Sequence, residues 1–236
     1  MKKGKLYLIP TTLGETESFS QVFPEYNLIV IHQLKVFIVE KTRTARRFLK
    51  KAKHPVPIEE MQFFELNKHT PEAQIATYLQ AAEHGVSIGL ISEAGSPAVA
   101  DPGAAIVHLA HQKNIRVVPL VGPNSILMAL MASGFNGQQF AFHGYLPIDP
   151  ANRLRKIKQL EQDAHRNDVT QIFIETPFRN NKMLESLMNA LQKQTLLCVA
   201  ANISLPDERI ETKSVEEWKK EKADFNKKPA VFLIYK

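Results

Sequence analysis

Apolar residues along this chain fall into short dense runs, separated by longer stretches in which they recur every three or four positions. The runs Lys5–Pro10, Val36–Glu40, Val86–Ser92, Ile115–Val121, Thr170–Glu175, Leu196–Ala200 and Ala230–Tyr235 are short and rich in β-branched or aromatic residues, and read as strands. Several are nearly continuous in apolar residues, as expected of strands buried on both faces of a parallel sheet. Helical periodicity occupies Glu72–His84, Pro102–Lys113, Asn124–Ser133, Asn152–Arg166 and Phe178–Lys193. Strand and helix in alternation predict an α/β fold. No internal repeat or low-complexity segment interrupts the pattern.

Local chemistry sharpens some boundaries. Asp101 can cap the free N–H groups of a helix in which Pro102 takes the first position, where its missing N–H costs nothing. Ala105, Ile106, Leu109 and Ala110 then share one face, and Asn114 is the expected stop. A joint is expected near Leu120–Pro123, where a buried strand runs into Gly122-Pro123. It divides the chain into an N-terminal α/β domain with a parallel sheet, 1–120, and a C-terminal α/β domain, 121–236.

Composition narrows the function classes. With 236 residues, 44% apolar and 23% charged, the chain can bury a sizeable core. Cys198 is the single cysteine, so disulfides and cysteine-based metal sites are excluded; in Leu196-Leu197-Cys198-Val199-Ala200 it reads as a small buried hydrophobe. His108 and His111 are three apart on a helix but lack a third ligand in the pattern, so no metal is expected. No apolar run approaches the roughly 18 residues of a membrane span, and the apolar stretch after the basic start is too short for a signal peptide. A cytoplasmic protein with no membrane partner is expected. The net charge of +6 is consistent with a polyanionic substrate without requiring one.

The turn-forming and charged motifs cluster just after the predicted strands. They are Pro10-Thr11-Thr12-Leu13-Gly14-Glu15, Glu40-Lys41-Thr42-Arg43, Ser92-Glu93-Ala94-Gly95-Ser96-Pro97 with Asp101-Pro102-Gly103, Gly122-Pro123-Asn124-Ser125, and Glu175-Thr176-Pro177-Phe178-Arg179. Any one could simply terminate a strand. Five together suggest a ligand site, because open parallel sheets bind ligands beyond the carboxyl ends of their strands. A dinucleotide fingerprint and a Walker loop are both absent, which removes the main support for dehydrogenase and P-loop readings.

Leu6-Tyr7-Leu8-Ile9-Pro10-Thr11, Ser92 through Gly103, Val117-Val118-Pro119-Leu120-Val121-Gly122-Pro123, Phe140 through Pro147 and Ile172 through Arg179 together resemble the tetrapyrrole-methylase superfamily. Within it, they are most similar to the branch that methylates a ribose 2′-hydroxyl of small-subunit ribosomal RNA. The resemblance covers most of the chain. It implies two α/β domains with S-adenosylmethionine in the cleft between them, in a homodimer. By position it assigns to the cofactor Pro10, Glu93, Ala94, Gly95, Ser96, Pro97, Gly122, Pro123, Asn124, Ser125 and Ile126. From the C-terminal domain, which completes the site, it assigns Ile174, Glu175, Thr176, Ala201, Asn202, Ala230 and Val231. The chain also departs from that branch. Lys41 stands where the branch has Asp, and Glu93 where it has Asp. Asn202-Ile203-Ser204-Leu205-Pro206 replaces an Arg-Glu-Leu-Thr-Lys segment, and Lys228-Pro229-Ala230 replaces Lys-Gly-Glu. The branch's carboxyl-terminal extension has no counterpart here.

Methyl transfer from a sulfonium is an in-line displacement in which the protein positions the reactants. A ribose hydroxyl is a poor nucleophile, so a base within reach would help. The candidates are Glu40, Glu93, Asp101 and Glu175. Asp101 reads better as a helix cap, leaving Glu175 first and Glu40 second as catalytic candidates. On a helix, Arg43, Arg46, Arg47 and Lys50 would share one face and could grip RNA phosphates, or form an ordinary solvated face. Three functions are therefore expected in this order: methylation of ribosomal RNA, methylation of a small tetrapyrrole-like molecule, and RNA binding without catalysis.

Overall fold

A computed structural model describes residues 2–15 and 19–236. Part of the Thr11–Glu15 loop's continuation, Thr16 to Ser18, lies outside the described residues. The chain divides into two compact units, Met1–Asn124 and Ser125–Lys236.

The first unit contains β1 (Lys5–Ile9), α1 (Glu25–His32), β2 (Val36–Val39), α2 (Thr42–Lys51), β3 (Gln62–Glu65), α3 (Glu72–Ile75), α4 (Gln80–Glu83), β4 (Ile88–Ile91), α5 (Gly103–Gln112) and β5 (Arg116–Pro119). The strands form one sheet in the order β3-β2-β4-β1-β5, and each pairing in it is parallel. β2 and β4 are buried at every position, as two-sided coverage requires. Ile9, Phe37, Val39 and Leu49 pack in one cluster, and Leu6, Ile38, Leu90 and Ile106 in another. The period-2 alternation of the strands sends neighbouring side chains to the two sides.

The helix expected over Glu72–His84 is instead two short turns, α3 and α4. Thr77 Oγ1 donates to the Gln74 carbonyl at 2.7 Å, and Tyr78 Oη to the Glu65 carbonyl at 2.5 Å. Such side-chain bonds to the backbone compete with a continuous helical ladder. Asn114 ends α5 in the left-handed region, φ 50°.

The second unit contains α6 (Ser125–Ser133), β6 (Phe140–Tyr145), α7 (Pro150–Asn167), β7 (Thr170–Glu175), α8 (Asn180–Ala190), β8 (Leu196–Ala201), β9 (Arg209–Ser214), α9 (Val215–Trp218) and β10 (Ala230–Tyr235). Its sheet runs β6-β7-β10-β8-β9. The parallel arrangement inferred from the apolar runs fails here: β10 is antiparallel to both β7 and β8, and β8 is antiparallel to β9. Ile157, Leu160, Met183 and Leu187 cover Phe173, Val199 and Phe232 on one face. α6 covers the other, where Thr212 Oγ1 of β9 donates to the Ser133 carbonyl at 2.8 Å. Two-sided burial alone makes a strand continuously apolar, whatever the direction of its neighbours.

Trp218 is buried in this unit, its Nε1 donating to the Leu197 carbonyl at 2.8 Å. Along the edge strand β9, Arg209, Glu211 and Lys213 form an ion-pair network that Glu221 joins from outside the strand. Among the described residues no helix is long and apolar enough to cross a membrane.

Candidate active site

In the first unit every strand points the same way, so all five carboxyl ends share one edge. Three loops are joined there. Thr11 and Gly95 pair through their backbones, Thr11 N to Gly95 O at 2.9 Å and Gly95 N to Thr11 O at 3.2 Å. Ser92 Oγ donates to the Gly95 carbonyl at 2.7 Å, and Ser96 Oγ to the Pro123 carbonyl at 3.3 Å. Asn27, buried on α1, holds the Val121 carbonyl at 2.6 Å.

Two glycines are required by this packing. Gly95 sits at φ +70°, and a Cβ there would lie 3.1 Å from Leu13 Cδ2. A Cβ on Gly122 would lie 2.3 Å from Pro10 Cγ, inside a rigid ring. Pro10, Gly95, Ser96, Gly122 and Pro123 therefore form one surface built largely of backbone. Ala94 is exposed at its margin, Pro97 is buried beneath it, and Asn124 ends the unit.

Beside this surface lies a small cavity between the ends of β2 and β4, lined by Glu40, Leu66, Leu90, Asp101 and Gly103 among others. Here the chain leaves β2 toward β3 and leaves β4 in the opposite direction, toward β5. That reversal is the topological switch point at which open sheets bind ligands. Glu40 Oε1 lies 3.4 Å from the Glu93 amide. Burial raises the Glu40 pKa above the usual carboxylate range, and the Asp101 and Glu93 carboxylates add to the rise. Glu93 accepts from Thr44 Oγ1 at 2.5 Å and meets Lys41 Nζ at 3.6 Å. Asp101 Oδ1 accepts from Ala98 N at 2.8 Å and Gly103 N at 2.7 Å, so it closes the loop; the helix begins one residue later than expected, which puts Pro102 rather than Asp101 in the cap position. Burial raises its pKa despite those two bonds.

α2 starts at this same edge, tied to the Glu93 loop by Thr44. Ala45 and Leu49 are its buried side, while Arg43, Arg46, Arg47 and Lys50 are exposed. Among the described residues none of the four forms an ion pair with a carboxylate, and Arg46 lies over the Phe63 ring at 5.5 Å.

The five loops do not share one sheet edge, as the sequence suggested; the Glu175 loop belongs to the second sheet. There, strand register gathers the remaining positions. Ala230 is paired with Glu175 on one side and with Ala201 on the other, so the carboxyl ends of β7 and β8 meet the amino end of β10. Val231 follows opposite Ile174. Asn202, at φ 50°, donates its amide to the Pro229 carbonyl at 2.9 Å and its Nδ2 to Asp207 at 2.7 Å. Ser125 and Ile126 open α6 in this unit.

Glu175 is buried. Its Oε1 accepts from the Thr176 amide at 2.7 Å, and its Oε2 stands 2.8 Å from Arg179 Nη2 in an ion pair without a well-directed hydrogen bond. Sequence reasoning missed Arg179 as this partner, although the i, i+4 spacing was readable. Thr11 and Ser92 lie within the loops singled out by sequence, but their clamping role, like that of Thr44, was not read, because it depends on partners in distant segments. Among the described residues no cluster of three or more His, Cys, Asp or Glu side chains could hold a metal.

A family model for the Tetrapyrrole (Corrin/Porphyrin) Methylases matches residues 5–219. The chain belongs to this family. Ribosomal RNA small subunit methyltransferase I of Escherichia coli O157:H7 is 28% identical over 235 residues, covering 98% of this chain and 78% of the relative. The protein of the same name from Bacillus subtilis (strain 168) is 33% identical over 190 residues, covering 80% and 60%. Among solved structures, the methyltransferase CobJ superposes with a TM-score of 0.64 at 15% identity, over 98% of this chain and 94% of that one. Uroporphyrin-III-C-methyltransferase from Thermus thermophilus superposes at 0.53 with 19% identity, over 99% and 92%. The chain is thus an α/β S-adenosylmethionine-dependent methyltransferase.

Proposed function

We propose that this methyltransferase acts on ribosomal RNA, at a ribose 2′-hydroxyl, as a homodimer in the cytoplasm. The observation that carries the reading is the exposed basic face of α2 formed by Arg43, Arg46, Arg47 and Lys50, attached directly to the strand edge that bears Glu40 and the Gly95 loop. The names of the full-length relatives support the same substrate.

The residues present fit the cofactor. At Gly95 and Gly122 a Cβ would strike Leu13 and Pro10, so these loops pack backbone against neighbour and a ligand reaching them would meet main chain. Ser204 Oγ, two residues after Asn202, is buried without a hydrogen-bond partner among the described residues, and Glu175 Oε2 is met only by the Arg179 ion pair. The first unit would hold the cofactor through Pro10, Glu93 to Pro97 and Gly122 to Asn124. The second would hold it through Ser125, Ile126, Ile174 to Thr176, Ala201, Asn202, Ala230 and Val231. Bound there, S-adenosylmethionine supplies an activated methyl group. The protein's task is to hold the hydroxyl in line and to receive its proton.

Of the two catalytic candidates, Glu175 is neutralised by Arg179. Among the described residues Glu40 forms no ion pair, and burial raises its pKa against the smaller opposing pull of Lys41, which suits a proton acceptor. Arg43, Arg46, Arg47 and Lys50 would bind phosphates. The homodimer is proposed on the family resemblance; Met131, Tyr145 and Ile148 of the second unit, at 83%, 61% and 76% exposure, are the apolar side chains such an assembly could cover.

The test is mass spectrometry of small-subunit ribosomal RNA from cells with and without the gene, followed by methylation of the deficient RNA by purified protein. A ribose methyl that disappears and is restored supports the proposal. Unchanged RNA, with methylation of a tetrapyrrole instead, would overturn it.

A further inference from the structure

The turn Pro177–Arg179, directly after β7, presents Phe178 with 76% of its surface exposed. A phenylalanine on a loose loop would call for no explanation, since isolated exposed apolar residues are common. This turn is held from four directions. Arg179 N donates to the Thr176 carbonyl at 2.9 Å, and the Arg179 guanidinium pairs with buried Glu175. Lys227 N donates to the Pro177 carbonyl at 2.9 Å. Asn180, fully buried, donates through Nδ2 to the Phe225 carbonyl at 3.2 Å and the Lys228 carbonyl at 2.6 Å. Asn181 completes the brace, accepting from Phe225 N at 2.8 Å and donating to Asp224 at 2.7 Å.

A rigid turn that projects an aromatic ring has already met the ordering cost of a binding contact. The surrounding charge favours one class of ligand. Lys227, beside Pro177 through its backbone, and Lys182, in the first turn of α8, are exposed and form no ion pair with a described carboxylate. Of the acids on these segments, Glu175, Asp207 and Asp224 are engaged by Arg179, Lys228 with Asn202, and Asn181, while Glu185, three residues beyond Lys182 on α8, is exposed to solvent. An aromatic face with free ammonium groups on two flanking segments matches an unstacked base and its phosphates.

We propose that Phe178 is the platform on which a base of single-stranded RNA stacks, with Lys182 and Lys227 on the adjoining phosphates. This deepens the substrate reading above and rests on it. The ring lies on the turn that follows Glu175 and Thr176, so a base held there brings RNA to the strand edge where Ala201 and Ala230 also lie. It is a specificity contact, separate from the α2 rail: stacking selects unpaired nucleotides, whereas phosphate contacts accept any.

The experiment measures binding of a single-stranded RNA oligonucleotide, and of the same length of abasic backbone, to the full chain and to F178A, F178W and K182E. F178A should weaken RNA binding roughly 5- to 150-fold with no change in salt slope, since stacking releases no counterions. F178W should restore it, and K182E should flatten the salt slope by about 0.7. The abasic strand should bind wild type and F178A alike. RNA affinity unchanged in F178A overturns the inference while leaving the substrate reading intact. Loss of S-adenosylmethionine binding in F178A would move the ring to the cofactor site, and loss of dimer mass would move it to a subunit contact; each overturns it. If the wild type binds no RNA, the substrate reading fails and this inference falls with it.

Discussion

The two units bring their strand ends together by different means. In the first, parallel strands deliver every carboxyl end to one side, and the Thr11–Gly95 pairing and the Gly122–Pro10 contact then weld separate loops into one surface. In the second, antiparallel pairing of β10 between β7 and β8 places strand ends side by side by register alone. The electrostatics divide in the same way. Burial raises the pKa values of Glu40 and Asp101 at the first edge. In the second unit the Arg209 and Lys213 side chains hold Glu211 down to about 2. At the first edge Glu40 and Asp101 are kept at a cost in stability, although the Thr42 amide lowers the pKa of Glu65 at the end of β3; along β9 the second unit uses Glu211 to gain stability. A partly buried carboxylate whose environment disfavours its charge is a candidate for chemistry, as Glu40 is here.

Each side of this contrast can be broken separately. The largest effect is expected at Glu40. Glu40→Gln should lower the methylation rate roughly 100- to 10,000-fold with S-adenosylmethionine affinity preserved, read by single-turnover methylation and calorimetry. A rate within threefold of wild type would remove Glu40 as proton acceptor. Next come the glycines: the wild type should bind the cofactor with about micromolar affinity, and Gly95→Val and Gly122→Val should each weaken it by about 100-fold or more. Normal binding by the folded variants would take the backbone surface out of the site. Reversing Arg43, Arg46 and Arg47 to Glu should flatten the log–log salt dependence of RNA binding by about 0.7 per lost phosphate contact, leaving cofactor affinity unchanged. Identical slopes would make α2 a solvated face.

The smallest effects concern stability against pH, and their signs are opposite. Glu211 has a depressed folded-state pKa, so its contribution is present above the ordinary carboxylate range and is lost as pH falls toward about 2. Glu211→Gln should therefore destabilise at pH 7 and match the wild type near pH 2. Glu40 has a raised folded-state pKa, so its charge opposes folding once pH exceeds that value. Glu40→Gln should be no less stable than wild type at pH 7, an advantage that vanishes below the carboxylate range. Denaturant melts at both pH values decide the matter, and equal signs for the two variants would erase the electrostatic contrast.

What was readable in the sequence follows burial. All the expected strands exist, and six of the seven are central or covered enough to read as apolar runs without ambiguity. The strands that went unread, Gln62–Glu65, Phe140–Tyr145 and Arg209–Ser214, each lie at a sheet edge. An edge strand has less cover, so Arg-Ile-Glu-Thr-Lys-Ser in β9 alternates instead of running apolar. Strand direction was unreadable for the opposite reason: β8 and β10 are covered on both faces, and cover hides direction. At the site, Gly95, Glu40 and the basic face of α2 stood out by residue type. The Arg179 partner of Glu175 and the loop clamps at Thr11 and Ser92 depend on pairings between distant segments, which no local pattern encodes.

Trp218 is the one tryptophan in the chain, and it is sealed inside the second unit. Intrinsic tryptophan emission is therefore a reporter of that unit alone, blind to the loosening of the parallel sheet. Far-ultraviolet dichroism sees the helices of both. If the two signals melt together, the units unfold as one cooperative body; if the dichroism moves first, the parallel sheet and its ligand edge open while the tryptophan stays dark to the event. Adding S-adenosylmethionine should then draw the earlier transition up toward the later one. A single indole, buried and hydrogen-bonded inside the second unit, thus lets an ordinary fluorimeter tell whether the two halves of the enzyme open together or apart.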